Sequence, residues 1–422
     1  MKISKRKLNL MVPLLCYILT IATAFFPNNM RYVMYGVVIS VACIEELKKK
    51  KSDKLVREFP YFFLYIIIVE IITVIREIYE KNTISLGAII QPIFLISCLI
   101  IGFNVGKKYG ESGCKDLLLF FSVIFIFSAC VCVPEYILKK SLFFPSYGNA
   151  WDAFRTPSIY GHPIRVGTSL TIALAIHIFL FRKSFIRWAI IILDLFGLFA
   201  CESRSSWIAC ACTCLLFFVA ATKKRVTRKK VIIAMSAIVI VLLFLMSNPG
   251  TRMIAAVVGR FAQATGDNVS KVQRLGTISY FASKIIDDFN PITFLLGHGE
   301  DAAANVMLET SIAFKNFSTT DNQYLLIFYN YGLIALIVVL GGIVKCIIRF
   351  IRTYESNGNT VNCLLFICIS QAICSFFYEL TENKTCAFLV LCSIGMLLSI
   401  NVQSIGKKSG ENVHEERKKR KY

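Results

Sequence analysis

Three short polar segments of this sequence contain the side chains best suited to chemistry. Arg204 lies in the turn 202–207 (ESRSSW), between two apolar runs. Arg274 begins an amphipathic segment, and Asp321 stands with Asn322 just before another apolar run. The planar guanidinium of arginine binds phosphate and carboxylate groups through paired hydrogen bonds, and a carboxylate accepts a proton from a hydroxyl group. These residue types therefore point to anion binding combined with proton transfer.

Further candidates lie in the same connections between apolar runs. Arg155 and His162 belong to the segment 155–163 (RTPSIYGHP), and His298 stands between two glycines. Each imidazole titrates near neutral pH, so both histidines are alternative proton acceptors. For every arginine, the alternative is an interfacial position with the charged head at a lipid headgroup. Arg204 fits that alternative least well, because its turn is too short to carry the charge far from the helices.

The elements that must position these residues are long apolar runs. The chain is 56% hydrophobic over 422 residues, with a mean hydropathy of +0.63, which is too apolar for an ordinary globular surface. In a bilayer each such run must satisfy its own backbone polar groups, and therefore forms a helix. We predict an all-α polytopic membrane protein, with residues 1–422 forming a single multi-span domain. About twelve spans are predicted: 8–26, 32–44, 61–75, 84–105, 117–133, 166–181, 185–200, 207–221, 231–246, 324–348, 361–377 and 386–400.

The distribution of basic residues predicts the orientation. If the connections are numbered alternately with both termini in the cytoplasm, 32 of the 47 Lys and Arg residues fall on the cytoplasmic side. Basic residues accumulate on that side in short loops. The net charge of +21 is thus spread over one membrane face, which argues against nucleic acid as a partner. The basic tail 401–422 is expected to touch anionic lipid at most.

Two external connections are unusually long, namely 139–163 and 247–321. Loops of this length are usually functional or disordered. Within the second loop, residues 272–289 place five apolar residues at helical spacing, which predicts an amphipathic helix over the mouth of the bundle. A weaker helical pattern covers residues 251–263. The five apolar residues are Leu275, Ile278, Phe281, Ile285 and Phe289.

A few ionisable residues fall inside predicted spans. Glu70, Asp194 and His177 are the examples, and charge within a membrane is costly and often functional. An interhelix ion pair or a water-facing position would also explain the two carboxylates. The sixteen cysteines lie almost entirely in spans, and the large external loop has none, so neither a disulfide framework nor a metal site is predicted.

The order of the polar segments resembles a known family. Ser-Arg-Ser-x-Trp in a short turn is followed by a long external loop with an arginine, then by Gly-x-Gly, then by Asp-Asn-x-Tyr-Leu and Gly-Leu-Ile. Over residues 155–340 this order resembles the Wzy/O-antigen-ligase superfamily, which includes repeat-unit polymerases of O-antigen and capsule as well as O-antigen ligases. The resemblance implies a fold similar to GT-C glycosyltransferases, in the cytoplasmic (inner) membrane of a bacterium.

The resemblance also implies roles for the candidate residues. It implies a glycosyltransferase that uses no metal or other cofactor and acts on undecaprenyl-diphosphate-linked oligosaccharides at the outer leaflet. Arg204 and Arg274 match two arginines that the family places near the donor diphosphate, where they would stabilise the charge of the leaving group. Asp321 and Asn322 stand where the family often has His-Asn, so Asp321 becomes the candidate general base. The remaining predicted substrate-binding residues are Asn322, Arg155, His162 and His298.

Several functions remain open at this point. The first hypothesis is a repeat-unit polymerase for O-antigen, capsule or exopolysaccharide. The alternatives are an O-antigen ligase with lipid A–core as acceptor, a transporter or flippase for lipid-linked sugars, and a scaffold protein. A transporter would carry charges along a pathway through the membrane midplane, whereas the polar groups here gather at one face. The sequence leaves open whether the protein acts alone or with a flippase and a chain-length regulator.

Overall fold

A computed structural model describes residues 5–26, 28–49, 59–81, 85–145, 154–222, 269–310, 318–354, 357–381 and 383–400. These residues form helices and no strand. The helices are α1 (Lys5–Ala22), α2 (Asn28–Leu47), α3 (Pro60–Lys81), α4 (Leu86–Leu138), α5 (Pro163–Leu180), α6 (Phe185–Ala200), α7 (Arg204–Thr222), α8 (Val269–Asp287), α9 (Pro291–Leu296), α10 (Ala302–Glu309), α11 (Gln323–Thr353), α12 (Asn359–Cys374) and α13 (Lys384–Ile400).

Two of these helices are interrupted at a glycine. Gly110 in α4 has a φ of 64°, and Gly332 in α11 has a φ of 79°. Glycine adopts such left-handed backbone at little cost because it has no Cβ. The break at Gly110 lies between the predicted spans 84–105 and 117–133.

The membrane-protein prediction is confirmed at the level of class. Four helical segments are long and apolar enough to cross a membrane: Arg6–Phe25, Leu86–Leu138, Pro163–Leu180 and Gln323–Thr353. Three shorter helices are also apolar: Arg204–Ala220, Asn359–Cys374 and Lys384–Ile400. The count of twelve spans stays a prediction. Three predicted features lie outside the described residues, namely the span 231–246, the helix 251–263 and the tail 401–422.

Contacts between helices place polar residues at the two ends of the bundle. Near the start of α1, Arg6 Nη2 lies 2.5 Å from Oδ2 of Asp116. Near the end of α1, the Thr385 hydroxyl donates to the carbonyl of Thr20 over 3.0 Å. We call the end that contains Thr20, Thr385 and Arg204 the outer end, after the predicted orientation. The structure thus separates two ends along α1, and which of them faces the cytoplasm stays a prediction.

The core between these ends contains aromatic contacts around α1 and a close approach of α4 to α13 at a small residue. The Tyr17 ring lies 5.0 Å from the Phe121 ring, and its hydroxyl is 2.9 Å from the Tyr160 hydroxyl. At Gly102, a Cβ would lie 2.0 Å from the carbonyl oxygen of Cys392. Small residues let membrane helices approach in this way, and dispersion then stabilises the contact. This packing fixes α4 against α13.

The ionisable residues within the spans have different surroundings. His177 Nδ1 on α5 lies 2.5 Å from Asp194 Oδ2 on α6, and both side chains are fully buried. This interhelix pair accounts for Asp194 and His177 without any contact to the outer end. Glu70 on α3 is partly buried, and its Oε1 has no hydrogen-bond partner among the described residues.

Candidate active site

Three helices begin at the outer end of the bundle. α5 starts after His162, α7 starts at Arg204, and α11 starts after Asn322. The Cys374 sulfur at the end of α12 lies 4.0 Å from the carbonyl of Ser205, which ties α12 to the start of α7. Helix N-termini carry a partial positive charge. This region therefore favours a bound anion even before its arginines are considered.

Arg274 on α8 and Asp321 before α11 form an ion pair at this end. Arg274 Nε lies 3.6 Å from Asp321 Oδ2, and the two side chains are 31% and 20% exposed. That separation is longer than a hydrogen bond, and Arg274 Nε has no hydrogen-bond partner among the described residues. The structure thus brings together the candidate cation and the candidate base, which are distant in sequence, and leaves both side chains partly exposed.

The environment of Asp321 suits a proton acceptor. Asp321 has a φ of 52°, a left-handed conformation that Asp and Asn tolerate better than other side chains. Burial raises the pKa of its carboxyl above the ordinary value, while the neighbouring Arg274 acts in the opposite direction. A raised pKa brings a carboxylate closer to the range in which a general base is efficient at neutral pH.

The connection between α12 and α13 forms hydrogen bonds with residues that precede and follow Asp321 in the chain. The buried Glu379 carboxylate accepts hydrogen bonds from the backbone N–H and the hydroxyl of Thr320. On the other side, Gln323 Oε1 accepts from the backbone N–H and the hydroxyl of Thr381, at 2.9 and 3.1 Å. The sequence analysis missed Glu379. Its only signal was a carboxylate in a short connection between two apolar runs.

Arg155 and Arg204 lie on either side of one turn. Arg155 is 8% exposed, and its Nε donates to the carbonyl of Cys201 over 3.2 Å. The backbone N–H of Thr156 donates to the carbonyl of Ala200 over 3.2 Å. Arg204 follows the turn at the first position of α7 and is partly exposed. Arg155 thus supports the turn that presents Arg204, and substrate binding by Arg155 stays a prediction.

His162 caps α5 and is held neutral. Its Nδ1 accepts a hydrogen bond from the backbone N–H of Ile164 over 3.3 Å. Burial, together with the charges of Arg165 and Arg155, lowers the pKa of the imidazole from 6.5 to about 3. Because the cap occupies Nδ1, this nitrogen is not available as a base towards a substrate.

Protonation of His162 is expected to weaken the fold. Between pH 6.5 and about 3 the unfolded chain binds a proton here that the folded chain does not. The free energy of unfolding therefore falls as pH falls through this window, by at most about 1.4 kcal/mol per pH unit. His162→Asn keeps a capping oxygen and removes the titration. Its thermal unfolding midpoint in detergent should depend less on pH between 7 and 5 than that of the wild type, and equal slopes would contradict the assignment.

His298 lies apart from the ion pair. Its ring stacks on Tyr329 with centroids 4.4 Å apart, and its carbonyl accepts from Arg76 Nη1 over 3.1 Å. Burial and the charges of Arg76 and Lys284 lower its pKa. Lys284 is farther along α8 than Arg274, by about 15 Å at 1.5 Å per residue. The structure therefore does not bring His298 to the Arg274–Asp321 pair.

The Asn322 side chain is largely used by the helix that it precedes. Its Oδ1 accepts from the backbone N–H groups of Tyr324 and Leu325, at 2.9 and 3.1 Å, which is an N-cap of α11. Only the amide NH₂ remains for a substrate. In the described part of the chain, no three or more His, Cys, Asp and Glu side chains are grouped so as to hold a metal.

The predicted amphipathic helix exists but faces its neighbours differently from the prediction. α8 spans Val269–Asp287, close to the predicted 272–289. Of the apolar residues expected on its packed face, Phe281 is fully buried, whereas Leu275 and Ile278 are 59% and 46% exposed. The buried face instead combines Phe281 with the polar residues Gln273 and Thr277.

The fold and the site define a class of protein before any comparison is made. A bundle of apolar helices with an arginine–carboxylate pair at one end is an integral membrane protein with a polar site near the membrane surface. Residues 189–340 match the sequence model of a family described as O-antigen ligase (Wzy_C). A search of curated proteins found no match.

The match covers α6 to the first part of α11, and so includes Arg204, Arg274, His298, Asp321 and Asn322. Members of the family are glycosyltransferase-like enzymes that act on lipid-linked sugars. The match of residues 189–340 supports a function of the O-antigen ligase or polymerase type in general.

Proposed function

We propose that this protein is a polysaccharide repeat-unit polymerase that joins undecaprenyl-diphosphate-linked oligosaccharides at the outer leaflet. The observation that carries the proposal is the partly exposed pair of Arg274 and Asp321. It lies at the end of the bundle where three helices begin. An enzyme of this kind must neutralise a departing diphosphate and accept a proton from a sugar hydroxyl, and the pair offers one group for each task.

The reaction follows from these two groups. A hydroxyl oxygen of the acceptor sugar attacks the anomeric carbon of the donor sugar, and the bond between that carbon and the diphosphate oxygen breaks. The diphosphate leaves with the electron pair, and Asp321 takes the hydroxyl proton. Arg274 and Arg204 stabilise the negative charge that grows on the leaving group. Direct displacement inverts the anomeric configuration, and the two arginines take the part that a divalent cation plays elsewhere.

The O-antigen ligase remains the second candidate, because the matching family is described by that name. A ligase would perform the same displacement with lipid A–core as acceptor. Asp321 in place of the histidine that the family often carries favours the polymerase. A flippase is a weaker alternative, because the Arg274–Asp321 pair and the charged residues around it lie at the outer end. The buried His177–Asp194 pair does not extend this group into a path.

The proposal is tested by reconstitution. The full-length protein is placed in proteoliposomes with lipid-linked repeat units extracted from a strain that lacks it, and the products are resolved by gel and mass spectrometry. A polymerase makes a ladder with single-repeat spacing, and excess EDTA leaves its rate unchanged. No ladder until lipid A–core is added would favour the ligase. Movement of repeat units between leaflets without a new glycosidic bond would favour the flippase.

A further inference from the structure

Three buried polar atoms near the ion pair have no hydrogen-bond partner in the described part of the chain. They are Gln273 Nε2 and Thr277 Oγ1 on α8, and Gln323 Nε2 on α11. The three residues are 5%, 0% and 5% exposed. Buried polar groups in native proteins nearly always have partners, so each exception calls for a ligand, an ordered water or a function.

Helix geometry places two of these atoms on one face of α8. Gln273, Thr277 and Phe281 are spaced four residues apart and therefore share a face of α8. The Phe281 ring packs edge-on against Tyr329 of α11, with centroids 4.8 Å apart. This face of α8, which we call the seam, thus lies against α11 at its apolar end, Phe281, and is polar at its other end, Gln273.

The polar end of the seam coincides with the ion pair. Gln273 directly precedes Arg274, and Thr277 lies about 5 Å farther along the helix axis. Because Arg274 touches Asp321 and Phe281 touches Tyr329, α8 and the start of α11 run in the same direction. The unpartnered groups of α8 therefore lie within about one helical turn of the Arg274–Asp321 contact.

Gln323 completes the set from the other helix. Its Oε1 accepts two hydrogen bonds from Thr381, at 2.9 and 3.1 Å. These bonds fix which side of the amide is oxygen, so the buried Nε2 is a defined donor. Gln323 is two residues after Asp321, on the first turn of α11. Two residues after the carboxylate, the chain thus carries a buried amide donor of defined orientation, and Arg274 brings the polar residues of α8 to the same carboxylate.

We infer that Gln273, Thr277 and Gln323 form a saccharide subsite that binds ring hydroxyls of the acceptor sugar beside Asp321. The inference rests on the proposed function and adds to it the part of the substrate that this seam recognises. Neutral amides and a hydroxyl match sugar hydroxyls, which both donate and accept. A diphosphate is bound through cations, and the Asp321 carboxylate would repel it from this side. The subsite would hold the attacking hydroxyl towards Asp321, while Arg274 remains for the leaving group.

The test uses variants that remove hydrogen bonding and keep shape, namely Thr277→Val and Gln273→Met. The matched control is Ser279→Ala, which removes an exposed hydroxyl from a different face of the same helix. The probe is the repeat-unit oligosaccharide released from its carrier by mild acid, which lacks the diphosphate. Its dissociation constant is measured by titration calorimetry on the full-length protein in nanodiscs, and the thermal unfolding midpoint is recorded in parallel.

The expected result is a dissociation constant about 3- to 10-fold higher for each variant, the effect of losing one neutral hydrogen bond, with Ser279→Ala unchanged. The unfolding midpoint should stay the same or rise, because an unpartnered buried polar group is replaced by an apolar one. Unchanged dissociation constants in the variants would overturn the inference. So would a wild type that polymerises but does not bind the oligosaccharide. In either case ordered water, and not a sugar, would satisfy the buried polar groups. A lower midpoint with unchanged binding would also overturn the inference, by assigning the groups to packing. The proposed function fails separately, if the wild type makes no ladder.

Discussion

Arg274→Ala should reduce polymer formation by about 100- to 1000-fold, leaving mainly single repeat units on the surface of a complemented strain. This is the range observed when one group that stabilises transition-state charge is removed. The reason here is positional. Arg274 lies 3.6 Å from Asp321 and is 31% exposed, so a diphosphate can reach its free donors. The measurement is the length distribution of surface polysaccharide on a gel, with the membrane level of the protein determined alongside.

Two further variants make this experiment specific. Arg274→Lys keeps the charge but loses the planar pair of donors, so a defect in it would indicate paired hydrogen bonds to phosphate. Lys284→Ala removes a cation from the same helix, one that pairs with Asp288 instead, and should leave polymer length unchanged. Long polymer from both Arg274 variants at normal protein level would make this arginine structural and remove the main support for the polymerase.

Asp321→Asn should cause a loss of about 100- to 10,000-fold, the usual contribution of a general base. Asparagine tolerates left-handed backbone as aspartate does, so the φ of 52° at this position does not by itself destabilise the variant. The amide keeps most of the shape of the carboxylate but cannot take a proton. Initial rates of ladder formation in proteoliposomes measure the effect, with Asp288→Asn as the control for loss of a carboxylate from the same loop.

The dependence on pH gives a second readout for Asp321. Activity requires the deprotonated carboxylate, so the rate should fall as pH falls through its pKa. Burial raises that pKa above 3.8, and the acidic limb of the profile should therefore lie above the range of an ordinary aspartate. Loss of the Arg274 charge should raise it further, so the residual activity of Arg274→Ala should decline at a higher pH than the wild type. Asp321→Asn with a wild-type rate would show that another group accepts the proton.

Among the predicted site residues, the structure separates those that lie together from those used elsewhere. Arg274 and Asp321 lie side by side, and Arg204 opens a helix at the same end. His162 and Asn322, which were predicted to bind substrate, each cap a helix. A capping oxygen or nitrogen looks the same in sequence as a ligand-binding one. Only the position of the helix start decides where its hydrogen bond goes.

The glycines near His298 show another limit of the sequence. The Gly297-His298-Gly299 motif is a polar segment of the sequence, and both of its glycines have positive φ. A Cβ on Gly297 would lie 2.2 Å from the carbonyl of Asn330. The glycines thus serve a close approach of two backbones, and they place His298 on Tyr329 rather than beside Asp321. The distance in space between two loop segments cannot be read from their spacing along the chain.

The sequence by itself determined the class of protein and the segments that carry polar residues. Apolar runs in a bilayer have to be helical, and a short connection has to begin and end on the same face of the membrane. These features therefore follow from local composition. The tertiary structure decided which polar side chains meet. The contact of Arg274 with Asp321 and the burial of Gln273 and Thr277 depend on how α8 packs against the start of α11. The hydrogen bonds from Thr320 to Glu379 depend on how the α12–α13 connection lies against the residues before α11. That arrangement results from packing between distant segments, which no local pattern encodes.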